Sequence, residues 1–487
     1  VANKLRLEYE NLGEHQVKNI STPIRVYRVL SFPGAAAHRV IKAKKVIRKK
    51  WLWAAAFTIL ILLIIFVGLY WKYYYLPAPI EIDSGSKMAF NLSKGPSIAV
   101  LPFVNMSKDP DQEYLCDGVT ENIIAVLSHI PRLLVIARNS TFFYKGKSIN
   151  VQQVGHELGA QYVIEGSIQK SDDRIRITVQ LIDTKSGHHM WSERYDRQLK
   201  DIFKLQDEIA IEIAKAMQIN LTEGEIVKTR FKNTPDVQSY IKLLKTSDYF
   251  FQITKENNIL ARKELEEHLS LNLEDSEFYT LSGLIYVQGI MLGACESDLI
   301  CLGKATEAAR KALSLDASNS DAHMLASWIF LMRKEHDKAI AEAKKAIMLN
   351  HNNADAYVFL GTALFFSDRP GEAIRVLKKA IRLNPIPPAW YLFHLGWAYR
   401  LSKQYEKAIE MYKKCLRRQS DYWYAYVGLA VSYTFLGREK EARAAVKEAL
   451  NFNPDYSIEI LKKTASYKNQ AELDRVVEAF RKAGMPE

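Results

Sequence analysis

Alanines recur at a nearly fixed interval in the second half of this 487-residue chain: Ala339, Ala373, Ala408 and Ala442. Three further columns keep the same interval. They are Ala346, Ala380, Cys415 and Ala449; Phe330, Leu364, Tyr399 and Tyr433; and Gly361, Gly396 and Ala430. Pro385 and Pro454 close two of the units. A period of about 34 residues, with small residues where helices cross and an aromatic one turn later, demands helix pairs that bury their apolar faces against neighbouring pairs. Residues 236–455 therefore read as an α-solenoid. Two weaker units come first, and an insertion lies near Gly289–Gly303. Residues 456–487 read as capping helices with a polar outer face.

These columns resemble the tetratricopeptide repeat. Arrays of that family hold peptides or protein segments in a concave groove lined by the first helix of each pair, and the resemblance implies such a partner here. The repeat register puts Trp328, Phe365, Trp390, Phe393, Trp397, Arg400 and Tyr424 on that groove. Aromatic rings with one guanidinium suit an extended peptide. The alternative is ordinary packing between repeats.

Upstream, Trp51–Trp71 contains no charged residue. At about 1.5 Å per residue the run is roughly 31 Å long, close to the hydrocarbon thickness of a bilayer. Trp51 and Trp53 flank one end, and Tyr70, Trp71, Tyr73, Tyr74 and Tyr75 the other. Such rings favour the two membrane interfaces. The run is too long for a signal peptide and lacks a cleavage site. The net charge of +12 invites a nucleic-acid reading, but Arg39, Lys42, Lys44, Lys45, Arg48, Lys49 and Lys50 lie together without an acidic residue, beside the apolar run. The excess is thus mostly juxtamembrane, and no nucleic-acid partner is expected. The expectation is a single pass through a bacterial inner membrane, with 31–50 a basic linker, 51–71 the transmembrane helix and 72–96 a second linker. The basic flank places residues 1–50 in the cytoplasm and 76–487 in the periplasm.

Residues 97–222 read as an α/β domain. Ser97–Val104, Leu133–Ala137 and Tyr162–Gln169 suit strands, Gln112–Ile130 and Ile202–Met217 have helical spacing, and Val151–Leu158 is a short helix with Gly159 as its cap. Arg174–Ile182 alternates and returns through a turn to His188–Tyr195. The segments Ile98-Ala99-Val100-Leu101-Pro102-Phe103, Asp117-Gly118-Val119-Thr120-Glu121, Tyr162-Val163-Ile164-Glu165-Gly166-Ser167 and Trp191-Ser192-Glu193-Arg194-Tyr195-Asp196 resemble the TolB amino-terminal-like (FlgO-like) domain of envelope proteins, which implies an accessory or ligand-sensing module. Asp117 and Glu121 share a helix face, a metal-capable spacing that also suits a helix N-terminus.

The first 30 residues hold two alternating stretches and cannot form a core alone. The chain starts at Val1 and reads as a fragment. Leu12-Gly13-Glu14-His15, Val17-Lys18-Asn19-Ile20 and Pro23-Ile24-Arg25-Val26-Tyr27-Arg28-Val29 resemble the last strands of class III nucleotide cyclases, and the ending Arg481-Lys482-Ala483-Gly484-Met485-Pro486-Glu487 resembles rhizobial-type adenylate cyclases of this domain order. The resemblance implies a parent enzyme that makes cAMP from ATP and dimerises through its cyclase domain. The family's catalytic residues lie upstream, so this chain carries no catalytic, cofactor or metal residue from it, and Mg²⁺ belongs to the missing core. The expected function is the sensory half of an adenylate cyclase. The alternatives are the outer half of a membrane one-component transcription regulator, or an envelope scaffold.

Four cysteines are present. Cys116 and Cys415 read as buried apolar residues. Cys295 and Cys301 lie in the repeat insertion and would bridge in an oxidising compartment.

Overall fold

The computed structural model describes residues 8–16, 18, 21–30, 96–107, 109–130, 132–219, 237–269, 275–465 and 467–487. The chain divides into two compact units, Val1–Ser84 and Gly85–Glu487. The first contains one antiparallel pair, β1 (Glu8–His15) and β2 (Ile24–Leu30), in register from Glu8↔Leu30 to His15↔Ile24. A bulge falls between Asn11 and Glu14, where Gly13 takes a φ of 91° and donates its N–H to Asn11 Oδ1. Positive φ is costly for any residue with a Cβ, so glycine belongs there.

The second unit opens with a mixed sheet. Its strands are β3 (Ser97–Val100), β4 (Val104–Asn105), β5 (Leu134–Val135), β6 (Tyr162–Ser171), β7 (Arg174–Asp183) and β8 (His189–Gln198). The order is β5-β3-β6-β7-β8, with β4 also on β6; the β3, β4, β5 and β6 pairings are parallel and β6-β7-β8 antiparallel. Every residue of β3 is buried, because both faces of this strand are covered. Ile98 and Val100 join helices α1 (Glu113–Ser128) and α4 (Ile202–Ala216) in one core. Ala99 and Leu101 point into the other large core. A strand buried on both faces needs a continuous apolar run, whereas β7 alternates buried and half-buried positions because only one face is packed. Two short helices, α2 (Arg138–Phe142) and α3 (Val151–Leu158), complete this part. Asn150 caps the start of α3, and Gly159 ends it in the left-handed region at φ 62°. The open edge, β8, carries Glu193, Arg194, Asp196 and Arg197.

The rest is helical: α5 (Val237–Phe251), α6 (Lys255–Leu269), α7 (Ser276–Met291), α8 (Asp298–Leu315), α9 (Ser320–Met332), α10 (His336–Leu349), α11 (Ala354–Phe366), α12 (Pro370–Leu383), α13 (Ala389–Leu401), α14 (Tyr405–Arg418), α15 (Trp423–Phe435), α16 (Glu439–Phe452), α17 (Ile458–Thr464) and α18 (Gln470–Ala483). Successive helices pack against one another. The alanine columns sit at 0–1% exposure where the pairs cross. Tyr412 needs glycines on two helices: a Cβ at Gly396 would lie 2.8 Å from its ring, and one at Gly428 2.4 Å. A polar ladder runs from repeat to repeat. Asn319 caps α9 through Ala322 N–H and donates back to Ser276 and Glu277. Asn353 does the same for α11 through Ala356 N–H, reaching Ser320 and Asp321. Each asparagine thus satisfies a helix start and its neighbour at once.

The sheet and the solenoid share a core. Leu101, Ile136, Leu158 and Val163 form one apolar cluster with Tyr357, Leu364, Leu377 and Leu383. Around it, Asn352 donates to Ser128 O and Leu133 O, both at 2.9 Å, and accepts from Val135 N–H. Ala137 N–H donates to Leu383 O at 2.8 Å, Ser140 meets Asn384 and Ile386, and Arg382 caps Leu158 O and Gly159 O.

The fold expectation needs correction. No helix among the described residues is long and apolar enough to cross a membrane. The longest of them, Asp298–Leu315, carries Asp298, Lys304, Glu307, Arg310 and Lys311. Trp51–Trp71 itself lies outside the described residues. The single-pass anchor, the membrane as partner, and the inner-membrane placement with residues 76–487 periplasmic are withdrawn with it.

Asn352→Ala would leave Val135 N–H and Ser128 O without their Asn352 partner and remove one of the two partners of Leu133 O, which also meets His351. It should destabilise the second unit by about 3 kcal/mol, read as a lower urea midpoint.

Candidate functional site

The first helices of successive pairs, α9, α11, α13 and α15, carry a row of rings. Trp328 meets Phe359 with centroids 4.8 Å apart, and Phe359 meets Trp390 at 5.8 Å. His394 continues the row at 6.0 Å from both Trp390 and Phe365. Phe365 stacks on Trp397 at 5.4 Å, Trp397 meets Phe393 at 5.2 Å, and Phe393 meets Tyr424 at 6.0 Å. Six of the seven residues read from the repeat register join this row, and Arg400 sits over the Trp397 ring, but they lie at different depths. Phe365, Phe393 and Arg400 are buried, Trp328, Trp390 and Trp397 half-buried, and Tyr424 exposed. Phe359 and His394, which link the two halves of the row, occupy equivalent repeat positions, with the same spacing as Ala373 and Ala408, so the register contained the signal that would have found them.

The row ends in a cavity of about 320 Å³, lined among others by Phe393, Trp397, Arg400, Tyr424, Tyr456 and Tyr467. That volume falls in the range of small-ligand sites. Tyr467 comes from the connection between α17 and α18. Its hydroxyl accepts from Arg400 Nη2 at 2.6 Å and Trp397 Nε1 at 3.0 Å, and its ring stands edge-on to Phe366 at 5.5 Å. Next to it, Lys468 N–H donates to Phe366 O at 3.0 Å, and Asn469 donates to Asp368. No periodic signal marks Tyr467, since it lies beyond the last repeat column.

Arg400 is the charge at the centre of this end. Burial opposes its charge, but Tyr467, Tyr412 and Glu472 outweigh burial and carry its pKa above the ordinary arginine value. Glu472 lies 3.7 Å from Nη1. His394 is different. Desolvation among the rings pushes its pKa down to about 3, so it is neutral at pH 7 and meets Thr362 through Nδ1. Further along, burial raises Asp355 to about 6 even though Tyr391 donates to it.

The carboxylates of α1 take side-chain cations. Asp117 accepts from Lys145 at 2.5 Å, and Glu121 lies 3.4 Å from Arg138, whose guanidinium sits between Phe142 and Phe251. Cys295 and Cys301 bring their sulfur atoms to 2.07 Å. Cys116 and Cys415 are separate and buried, and burial raises the Cys116 thiol to about 12.

Residues 93–212 match the second domain of HilA/YgeH-like transcriptional regulators. Residues 302–357, 360–421 and 399–465 match tetratricopeptide repeats. A protein of Rhizobium meliloti (strain 1021) described as "Putative adenylate cyclase 3" is 45% identical over 177 residues, which is 36% of this chain and 30% of the relative. The chain thus spans under a third of that relative's length. Among solved structures, MamA is 28% identical over 34% of this chain and 95% of its own, with a TM-score of 0.28. TolB from Acinetobacter baumannii is 20% identical over 26% and 28%, with a TM-score of 0.21. The TolB amino-terminal-like assignment of the α/β part is withdrawn, since residues 93–212 match the HilA/YgeH-like model. The assignment to a membrane-anchored adenylate cyclase, and dimerisation through a cyclase domain, are also withdrawn: the matched families are the regulator domain and the repeats, and the cyclase relative is matched over 30% of its length.

Two measurements test this geometry. In denaturant without reductant, two of the four thiols should react, and all four after reduction; in the native chain Cys116 and Cys415 should react slowly. For His394, the unfolded chain takes up a proton below the ordinary value of 6.5, while the folded chain resists until about 3. The stability tied to this site is thus full above pH 6.5 and lost as pH falls through that window. His394→Asn should lower the loss in thermal midpoint between pH 7 and pH 4.

Proposed function

We propose that this chain is a regulatory module that binds a protein or peptide segment, of the type that accompanies transcription regulators. The aromatic row from Trp328 to Tyr424, ending in the Arg400 cavity, carries this reading. Half-buried tryptophans are anchoring side chains: they offer large apolar area and lose little freedom when a partner covers them. Buried Phe365 and Phe393 stiffen the wall behind them. The α/β part, joined to the array by a shared core, ties occupancy of the groove to the rest of the regulator. The HilA/YgeH-like match supports the regulator class, and the repeat matches support the protein-binding role.

Selection from a random peptide display library on the immobilised full chain tests this. Enriched peptides should bind Trp397→Ala at least tenfold more weakly than the unaltered chain. Peptides that bind both equally would overturn the groove assignment.

A further inference from the structure

The connection between α17 and α18 sits in the groove as a ligand would. Lys468 donates its backbone N–H to Phe366 O, on the wall of the groove. Tyr467 drops its ring against Phe366, and its hydroxyl meets two converging donors, Arg400 and Trp397. Asn469 pins the far end to Asp368. Yet this strap holds little else. Ala465 and Tyr467 are only half-buried, and Lys468 and Asn469 are exposed. Helix α18 has its own anchorage, with Leu473, Val476, Val477 and Phe480 buried and α18 packed on α15. The strap can therefore lift away without undocking the helix behind it. The cavity beside Tyr467, toward Tyr424 and Tyr456, gives room for residues on either side of an incoming anchor.

Resting on the groove reading above, we infer that the seat of Tyr467 is a recognition subsite for a tyrosine in an extended segment of a partner protein, and that the strap of Tyr467, Lys468 and Asn469 is a built-in competitor the partner must displace. The fit is specific to a phenol. Arg400 and Trp397 both donate, so the subsite calls for an acceptor oxygen at the tip of a flat ring, and phenylalanine leaves both donors unmet. A strap that fills the subsite most of the time lowers the apparent affinity by the fraction of time it is open.

The test uses the full chain and a fluorescently labelled peptide with the sequence of residues 463–471. Fluorescence polarisation should give weak binding to the unaltered chain and about tenfold tighter binding to Tyr467→Ala, with helicity unchanged by circular dichroism. Adding Trp397→Ala to that variant should abolish the gain, and a probe with phenylalanine for its tyrosine should bind at least fivefold more weakly. Equal affinity for the unaltered and Tyr467→Ala chains, or a gain that survives Trp397→Ala, would overturn the inference. If Tyr467→Ala loses helicity, Tyr467→Phe keeps the ring and removes only the hydroxyl; it should bind the probe about threefold tighter than the unaltered chain, and no gain would overturn the inference. If library-selected peptides bind through Trp397 but this probe binds no variant, the tyrosine subsite fails and the groove stands. If neither binds, the groove reading fails as well.

Discussion

The second unit depends on a single buried seam between a β-sheet and a helical array. Apolar burial supplies most of the free energy there, as it does in any core, but it does not choose a register. The register comes from polar groups that have one good arrangement. Asn352 answers three backbone groups at the end of α1 and along β5, and Ala137 N–H has Leu383 O as its partner. Sliding the array by one repeat would leave all of these unpaired in a dry environment, a cost of several kcal/mol. The aromatic row, the cavity and the strap are all positioned from this seam outward.

Much of the local structure was legible because burial imposes a rhythm. The alternation in Arg174–Ile182 corresponds to a strand packed on one face, and the unbroken Ile98–Leu101 run to one packed on both. The run also contained a hint of the seam: a strand with no polar face has to be covered twice, and α1 and α4 supply one cover only. Alanine columns gave the helix crossings, since helices approach closely only over small side chains. Helix ends were legible where a capping residue fixes them, as at Gly159.

What was not legible is what depends on distant segments meeting. Arg400 and Tyr467 are separated by most of two repeats, and no periodicity links them. The asparagine ladder, Asn319 and Asn353, looks in sequence like ordinary helix capping; its reach back to the preceding repeat shows only in three dimensions. Domain resemblance misled in a different way. Short motifs such as the one around Tyr162–Ser167 report strand and turn requirements that several α/β families share, so they point to a fold layer before they point to a family. The stub was read by the same logic, and the matched families redirect the functional reading away from it.

The asparagine ladder and the seam together have a mechanical consequence. A free-standing repeat array behaves as a soft spring whose pitch varies with each neighbour contact. Here adjacent coils are stitched at their loops, and two of those loops are clamped to a sheet. The spring is held at one extension, so the spacing between Trp328 on α9 and Trp390 on α13 is set before any guest arrives. A guest that displaces the strap then meets helices already in place, and little further interaction energy is lost in shaping the host.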